Sequence, residues 1–283
     1  MYFVGVTTAR SSMQRIFPRW TRLAGLDDAT LAGIDLPIGA SPDQYRAAVE
    51  TIRTDSACWG ALVTSHKIGI YDHARDLFAG FDADAEKLGE VSCMVRRGGK
   101  LMGRALDPPT AATALRAIVV APFRGSVLIL GAGGAALALA TVLAREHLPR
   151  EVILTDISAD RLQWAKRLSP ARCELTSMVE ESDRLLATMP PGSLIVNATG
   201  MGKDRPGSPV SAGAVFPKHA IAWDLNYRGN LLFLEYARAQ GIRAVDGWEY
   251  FLQGWSQSLS NVFSFDLTPP LFAAMREAAE AGR

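Results

Sequence analysis

Between the apolar run Val127-Leu128-Ile129 and an Ala/Leu-rich stretch from Leu137 to Arg145 lie Leu130-Gly131-Ala132-Gly133-Gly134-Ala135-Ala136. In the order strand, turn, helix, each small residue has a chemical reason. Gly131 permits a tight turn, Gly133 lets the backbone approach a pyrophosphate, and Ala136 lets helix and strand pack closely. Free N–H groups at the helix start face the phosphates, so Gly131, Ala132, Gly133, Gly134 and Ala135 are the expected dinucleotide contacts. A plain strand-to-helix turn is the bland alternative. Further on, Val152-Ile153-Leu154 leads to Asp156. There a dinucleotide-binding unit places the carboxylate that accepts from the adenosine ribose 2′-hydroxyl and repels a 2′-phosphate. Ile157 stands where a phosphate-binding arginine would otherwise help, and Arg161 lies a helical turn on. NAD is therefore expected, with NADP second. Capping the next helix is the competing role for Asp156, and Ser158 can fill it equally.

The totals exclude several other chemistries. The 283 residues can hold two modest domains or one large one. A net charge of +1 with no long run of Lys or Arg gives no nucleic-acid or anionic-membrane surface. No stretch approaches the roughly 20 apolar residues of a membrane span, and Met1 to Val6 is too short and uncharged for a signal peptide. Cys58, Cys93 and Cys173 are scattered without CxxC spacing, so they read as reduced thiols of a cytoplasmic protein. With four histidines, all distant from cysteine pairs, no metal site is expected.

The elements that position these residues alternate. Tyr2 to Val6, Leu31 to Leu36 and Trp59 to Thr64 read as strands. A helix capped at Ser11 or Ser12, kinked or restarted at Pro18 and stopped at Gly25, follows the first. Another opens at Pro42. Helices from about Ile70 to Phe78 and from Asp82 to Leu88 precede a hairpin turning at Gly98-Gly99. This half is a mostly parallel sheet with an antiparallel edge. Asp107-Pro108-Pro109 starts a bridging helix. Glu151 to Asp156, Ser193 to Asn197 and Ile221 to Leu225 are strands of the second half. Trp248 to Phe263 and Leu271 to Ala281 form terminal helices. The expected architecture is α/β throughout. An N-terminal α/β domain is expected over residues 1–107, a Rossmann NAD(P)-binding domain over 108–245, and the helices of 246–283 are expected to pack back on the first.

Several stretches together resemble the shikimate dehydrogenase family, including its quinate dehydrogenase relatives, over nearly the whole chain. Gly60-Ala61-Leu62-Val63-Thr64-Ser65-His66-Lys67 is similar to a family strand ending in Val-Thr-x-x-His-Lys. Gly89-Glu90-Val91-Ser92-Cys93 sits where the family has Gly-Ala-x-Asn-Thr, and Gly103-Arg104-Ala105-Leu106-Asp107 where it has Gly-x-Asn-Thr-Asp. Asn197-Ala198-Thr199-Gly200-Met201-Gly202, Asp224-Leu225-Asn226-Tyr227 and Asp246-Gly247 follow in the family order. The resemblance implies NAD(P)-linked oxidation of a ring hydroxyl on a small cyclic hydroxy acid. It implies Lys67 and Asp107 as the catalytic pair. A lysine ammonium can donate to a carbonyl oxygen while a carboxylate holds it and tunes its pKa. It also adds Asn197, Thr199, Gly200, Met201, Leu225 and Gly247 to the cofactor contacts.

The substrate half departs from the pattern. Where the family reads His-Ser-x-Ser-Pro, this chain has Arg10-Ser11-Ser12-Met13-Gln14, keeping Ser11 and placing Met13 for the second serine. Ser92 replaces a substrate-binding asparagine, and Ala105-Leu106 replace Asn-Thr. Thr64 and Tyr227 remain as hydroxyl partners, and either Gln253 or Gln257, four apart on one helical face, could reach the site. Arg10 is either a carboxylate clamp or a surface residue. Losing buried hydrogen-bond partners shifts selectivity, so the expected substrate is a quinate-like acid, an aminated analogue or a cyclitol rather than shikimate. Two other readings stay open: a silent NAD-binding regulator of the same fold, and a two-domain dehydrogenase acting on another ring. A homodimer is left open.

Overall fold

The computed structural model describes residues 1–119, 123, 125–146, 150–203 and 205–282. They divide into two compact units, Met1–Leu106 with Leu252–Arg283, and Asp107–Phe251.

The first unit begins with β1 (Tyr2–Gly5), α1 (Met13–Leu23), β2 (Ala32–Asp35), α2 (Pro42–Thr54), β3 (Gly60–Val63) and α3 (Lys67–Ala74). It continues with β4 (Gly80–Phe81), α4 (Ala83–Leu88), β5 (Cys93–Arg97) and β6 (Lys100–Arg104). The strands form one sheet in the order β2-β1-β3-β5-β6-β4. Only β5 runs antiparallel to its neighbours, and it lies inside the sheet rather than at its edge. The two-residue β4, which carries too little apolar pattern to read from sequence, covers the outer side of β6.

Local chemistry explains the helices. Ser41 and Gln44 form a reciprocal capping box at the start of α2, with Pro42 at the first helical position. Asp82 caps α4 by accepting from the Ala85 N–H, and Gly89 ends it in the left-handed region at φ 64°. α1 continues past Pro18 rather than restarting there. Met13, Ile16, Phe17 and Trp20 on its inner face are at most 2% exposed. Burying four such side chains, at roughly 1.5–3 kcal/mol each, outweighs the roughly 3 kcal/mol of an interior proline. Helix α3 also begins earlier than the pattern predicts, at Lys67, and its end tightens into a 3-10 turn over Arg75–Leu77.

The second unit contains α5 (Asp107–Ile118), β7 (Val127–Leu130), α6 (Gly134–Glu146), β8 (Val152–Asp156), α7 (Ala159–Leu168) and β9 (Arg172–Leu175). After them come α8 (Val179–Thr188), β10 (Leu194–Asn197), β11 (Ile221–Asp224), α9 (Leu232–Ala239) and β12 (Arg243–Val245). All six strands are parallel, in the order β12-β11-β10-β7-β8-β9. The order reverses between β7 and β10, and a crevice at such a reversal is where doubly wound sheets bind ligands. Both strands at the reversal are wholly buried, as continuous apolar runs covered on two faces must be.

α10 (Trp248–Phe263) runs from one unit into the other, and α11 (Pro269–Glu280) completes the first. The terminal helices pack back on that unit. The Trp20 indole N–H donates to the Met275 carbonyl at 2.6 Å, and Trp255 meets the Phe3 ring edge-on at 4.9 Å. No helix among the described residues is long and apolar enough to cross a membrane.

Candidate functional site

The glycine turn lies at the strand-order reversal of the second unit. Gly131 takes φ +101°, and a Cβ on it would sit 2.9 Å from the carbonyl of Ala198 in the loop after β10. Only glycine fits there, both for its backbone and for its neighbour. The Gly131 N–H donates to Thr155 on β8, and the Ala198 N–H to Leu130, so the turn is fastened on both sides. Gly133, Gly134 and Ala135 are half-buried, whereas Ala132 is fully buried. A Cβ on Gly133 would meet only the Arg161 guanidinium, at 3.8 Å, so its outer face is open. That open face, with the first N–H groups of α6 beside it, suits a pyrophosphate.

Asp156 ends β8 beside this turn. One carboxylate oxygen accepts from the Ala132 N–H at 2.7 Å and the other from the Ser158 N–H at 2.9 Å. The Ala132 N–H is thereby spent within the protein, so its expected phosphate contact is corrected to a brace for the turn. Ser158 caps α7 through the Arg161 N–H, leaving Asp156 free of the capping role. Ile157, the next residue, is 69% exposed.

Across the reversal, the loop after β10 is a polar knot. Asn197 is fully buried. Its amide donates to Asp224 at 2.8 Å and to the Met201 carbonyl at 3.3 Å, and its oxygen accepts from the Thr199 N–H and hydroxyl. Asn197 is thus a scaffold residue; no surface of it is left for a ligand. Thr199, Gly200 and Met201 are half-buried, with Gly200 at φ +76°, and they line the loop's outer side. Leu225 is half-buried, and Gly247 is buried so close to it that a Cβ there would lie 2.1 Å from the Leu225 oxygen. Tyr227 is half-buried, its ring 4.4 Å from Phe251 and 5.3 Å from Trp248. Asp224 and Asn226 complete this network, a role the sequence pattern does not assign them. The available signal was an acid and an amide closing two neighbouring apolar strands.

In the first unit, β3 ends in a strained turn. Thr64 is half-buried and donates to the Val4 carbonyl, Ser65 takes φ +42°, and α3 starts at Lys67. His66 is buried, its Nε2–H donating to the Leu36 carbonyl at 3.0 Å, which leaves Nδ1 to accept from the Tyr45 hydroxyl at 3.4 Å. The Lys67 carbonyl accepts from the Val91 N–H at 3.1 Å. Ser92 follows, but its buried hydroxyl accepts from the Leu106 N–H at 2.7 Å and donates to the Arg104 carbonyl. Its expected substrate contact is therefore corrected: the hydroxyl joins β5 to the end of β6. Lys67, Thr64 and the 91–92 segment thus share one end of the sheet. Asp107, the residue after Leu106, is buried, opens α5 and belongs to the second unit.

Two further expectations change. Met13 has no exposed surface and is a core residue of α1, so it cannot stand for a substrate-binding serine. Ser11 is 6% exposed and accepts from the Met13 N–H at 3.2 Å. On α10, Gln253 is buried and Gln257 half-buried one turn further on. Arg10 is exposed at the end of a 3-10 turn. Among the described residues no group of three or more His, Cys, Asp or Glu is placed to hold a metal ion.

No protein-family model matches the chain. It is 31% identical over 249 residues to a shikimate dehydrogenase (NADP(+)) of Xanthomonas campestris pv. campestris, covering 84% of this chain and 83% of that one. It is similar to the structure of shikimate 5-dehydrogenase from Thermus thermophilus in complex with NADP(H) and shikimate. The TM-score is 0.75 at 25% identity, over 100% of this chain and 98% of that one. Shikimate dehydrogenase 1 from Peptoclostridium difficile shares the fold at TM-score 0.80 and 18% identity, over 99% and 97% of the chains. The glycine turn, the loop after β10 and the strand end at Lys67 sit on the framework these proteins share, and the chain belongs to the shikimate dehydrogenase family of nicotinamide-dependent oxidoreductases.

Proposed function

We propose that the protein is an NAD-dependent dehydrogenase moving hydride reversibly between nicotinamide and a ring hydroxyl of a shikimate- or quinate-like cyclic hydroxy acid or a cyclitol. The observation that carries this reading is the Gly131 turn wedged against Ala198 at the strand-order reversal, in a chain of this family. The bound nicotinamide supplies or accepts the hydride. The chain's task is to hold the ring and to move one proton to or from the reacting oxygen.

Lys67, at the first position of α3, is the group we assign to that proton. Its ammonium donates to the ketone oxygen in reduction and, as amine, takes the hydroxyl proton in oxidation. Asp107 is assigned to hold the ammonium by charge and hydrogen bond. Ser11, Thr64 and Tyr227 supply hydroxyls to the ring, with the amide of Gln253 or Gln257. Because Met13 and Ser92 are spent inside the fold, fewer partners remain than the family pattern offers. This supports a substrate other than shikimate itself.

The relatives are named for NADP(+), and the preference for NAD in this chain is our reading of Asp156. A carboxylate already fixed by two N–H groups keeps outward lone pairs for ribose hydroxyls and opposes a 2′-phosphate. Three unpaired thiols fit a reducing cytoplasmic setting.

The test is nicotinamide absorbance with NAD or NADP against shikimate, quinate and a cyclitol panel. Turnover faster with NAD is expected, and Lys67→Ala should lower kcat by about 100- to 10,000-fold. Undiminished turnover in Lys67→Ala would remove Lys67 from the chemistry. Binding of NAD without turnover of any panel member favours the regulator instead.

A further inference from the structure

The reaction assigns no role to Asp224, yet its carboxyl is fully buried at the end of β11. One oxygen accepts from the Asn197 amide at 2.8 Å and the other from the Asn226 N–H at 2.8 Å. The Asn197 amide also donates to the Met201 carbonyl, at 3.3 Å, and the side-chain amide of Asn226, whose backbone N–H holds Asp224, donates to the same carbonyl at 3.1 Å. Met201 N–H in turn donates to Thr199 Oγ1 at 3.1 Å, and the Asn226 carbonyl accepts from the Gly247 N–H at 2.9 Å. One carboxyl thereby organises the loop after β10, the turn after β11 and the start of α10. In a doubly wound sheet the adenosine half lies on the β8 side of the reversal and the nicotinamide half on the β10 side.

We propose that Asp224 is a positioning residue of the dinucleotide site. Acting through Asn197 and Asn226, it holds the Asn197–Gly202 loop in the shape that receives the nicotinamide half, without touching the cofactor. The proposal rests on reading the second unit as a dinucleotide site. Only the ionised carboxyl can do this. A carboxylate is acceptor-only, and the groups facing it from β10 and from the 226 turn are N–H donors. A proton on it removes an acceptor and turns an O–H toward those donors, which loosens both loops.

Burial, the largest influence, raises the Asp224 pKa to about 6 against the pull of its amide hydrogen bonds. Asp246, on the segment after β12, pushes the same way. The sign for stability is opposite to that for binding. With the folded pKa above the ordinary value of 3.8, this group's stabilising contribution is present at acid pH and fades as pH rises through about 6. Cofactor grip should improve over the same range.

The test is NADH binding by nicotinamide fluorescence from about pH 5 to 8, with a thermal melt at each pH and ADP-ribose as the probe lacking nicotinamide. Wild-type affinity for NADH is expected to rise about tenfold across this range with a midpoint near 6, while ADP-ribose binding stays level. Asp224→Asn should bind NADH about tenfold more weakly at pH 8, with a flat profile and unchanged ADP-ribose affinity. Combining it with Asn197→Asp rebuilds one carboxylate–amide pair in reverse and should recover part of the loss. A flat wild-type profile, or equal loss of NADH and ADP-ribose in Asp224→Asn, overturns the positioning role. The wild-type profile decides even if the variant does not fold. Absence of any NADH or ADP-ribose binding by the wild type at pH 8 is a different result, and it overturns the dinucleotide reading beneath the proposal.

Discussion

Asp156 does two jobs with one carboxylate. It ties the glycine turn to β8 through the Ala132 N–H, and in the NAD site we propose it sets a negative charge at the ribose end. Arg161 stands nearby, its guanidinium 3.8 Å from where a Gly133 Cβ would be. Replacing Asp156 by serine keeps an acceptor for Ala132 but removes the charge, leaving Arg161 unopposed. Hydrogen bonds to charged groups are worth about 1.5–3 kcal/mol, so Asp156→Ser should shift the kcat/KM ratio of NAD to NADP by about 10- to 100-fold toward NADP. An unchanged ratio in the two-cofactor assay would mean that the ribose lies elsewhere.

The element that presents Lys67 is α3, and α2 holds it. Tyr45 on α2 hydrogen-bonds His66 and lies over Gly69, where a Cβ would come 2.4 Å from the ring. Two magnitudes compete in Gly69→Ala. Helix propensity favours alanine by about 1 kcal/mol. Overpacking against a buried aromatic costs typically 1–3 kcal/mol and displaces one of the two helices. The clash should win. Gly69→Ala is expected to lower the urea midpoint slightly and to cut kcat more than it raises KM, since α3 carries Lys67, to which we assign the proton transfer. A stabilised variant with wild-type kcat would show that α3 has slack against α2.

At the scale of the molecule, the first unit is assembled from both ends of the chain. Met275 on α11 has no exposed surface, and its carbonyl receives the Trp20 indole N–H. Arg15 donates to the Gly282 carbonyl beside it. Met275→Ala should therefore cost about 2–5 kcal/mol in urea unfolding, as for other buried large-to-small changes. The loss belongs to the first unit, so dinucleotide affinity in the second should be preserved under native conditions. A surface-like loss of a few tenths of a kcal/mol would mean that α11 is not docked on α1.

Local pattern determined much of this protein by itself. The apolar run before Gly131, the cap at Ser41, the Gly98-Gly99 hairpin and the helix from Trp248 to Phe263 all follow from neighbours in sequence. So does the acid at the end of β8, because a strand of known length places its last residue. What only tertiary structure decided depends on partners distant in the chain. Ser92 has a hydroxyl suited to a substrate, but Leu106, 14 residues on, takes it. Met13 aligns with a serine, but it lies on the buried face of α1 with no exposed surface. Pro18 disfavours a helix interior, and the buried inner face of α1 carries the helix past it. Asn197 and Asp224 are 27 residues apart, and only the parallel pairing of β10 with β11 brings them together. A side chain's type states what it can bond to, and the fold decides whether another part of the chain has already claimed it.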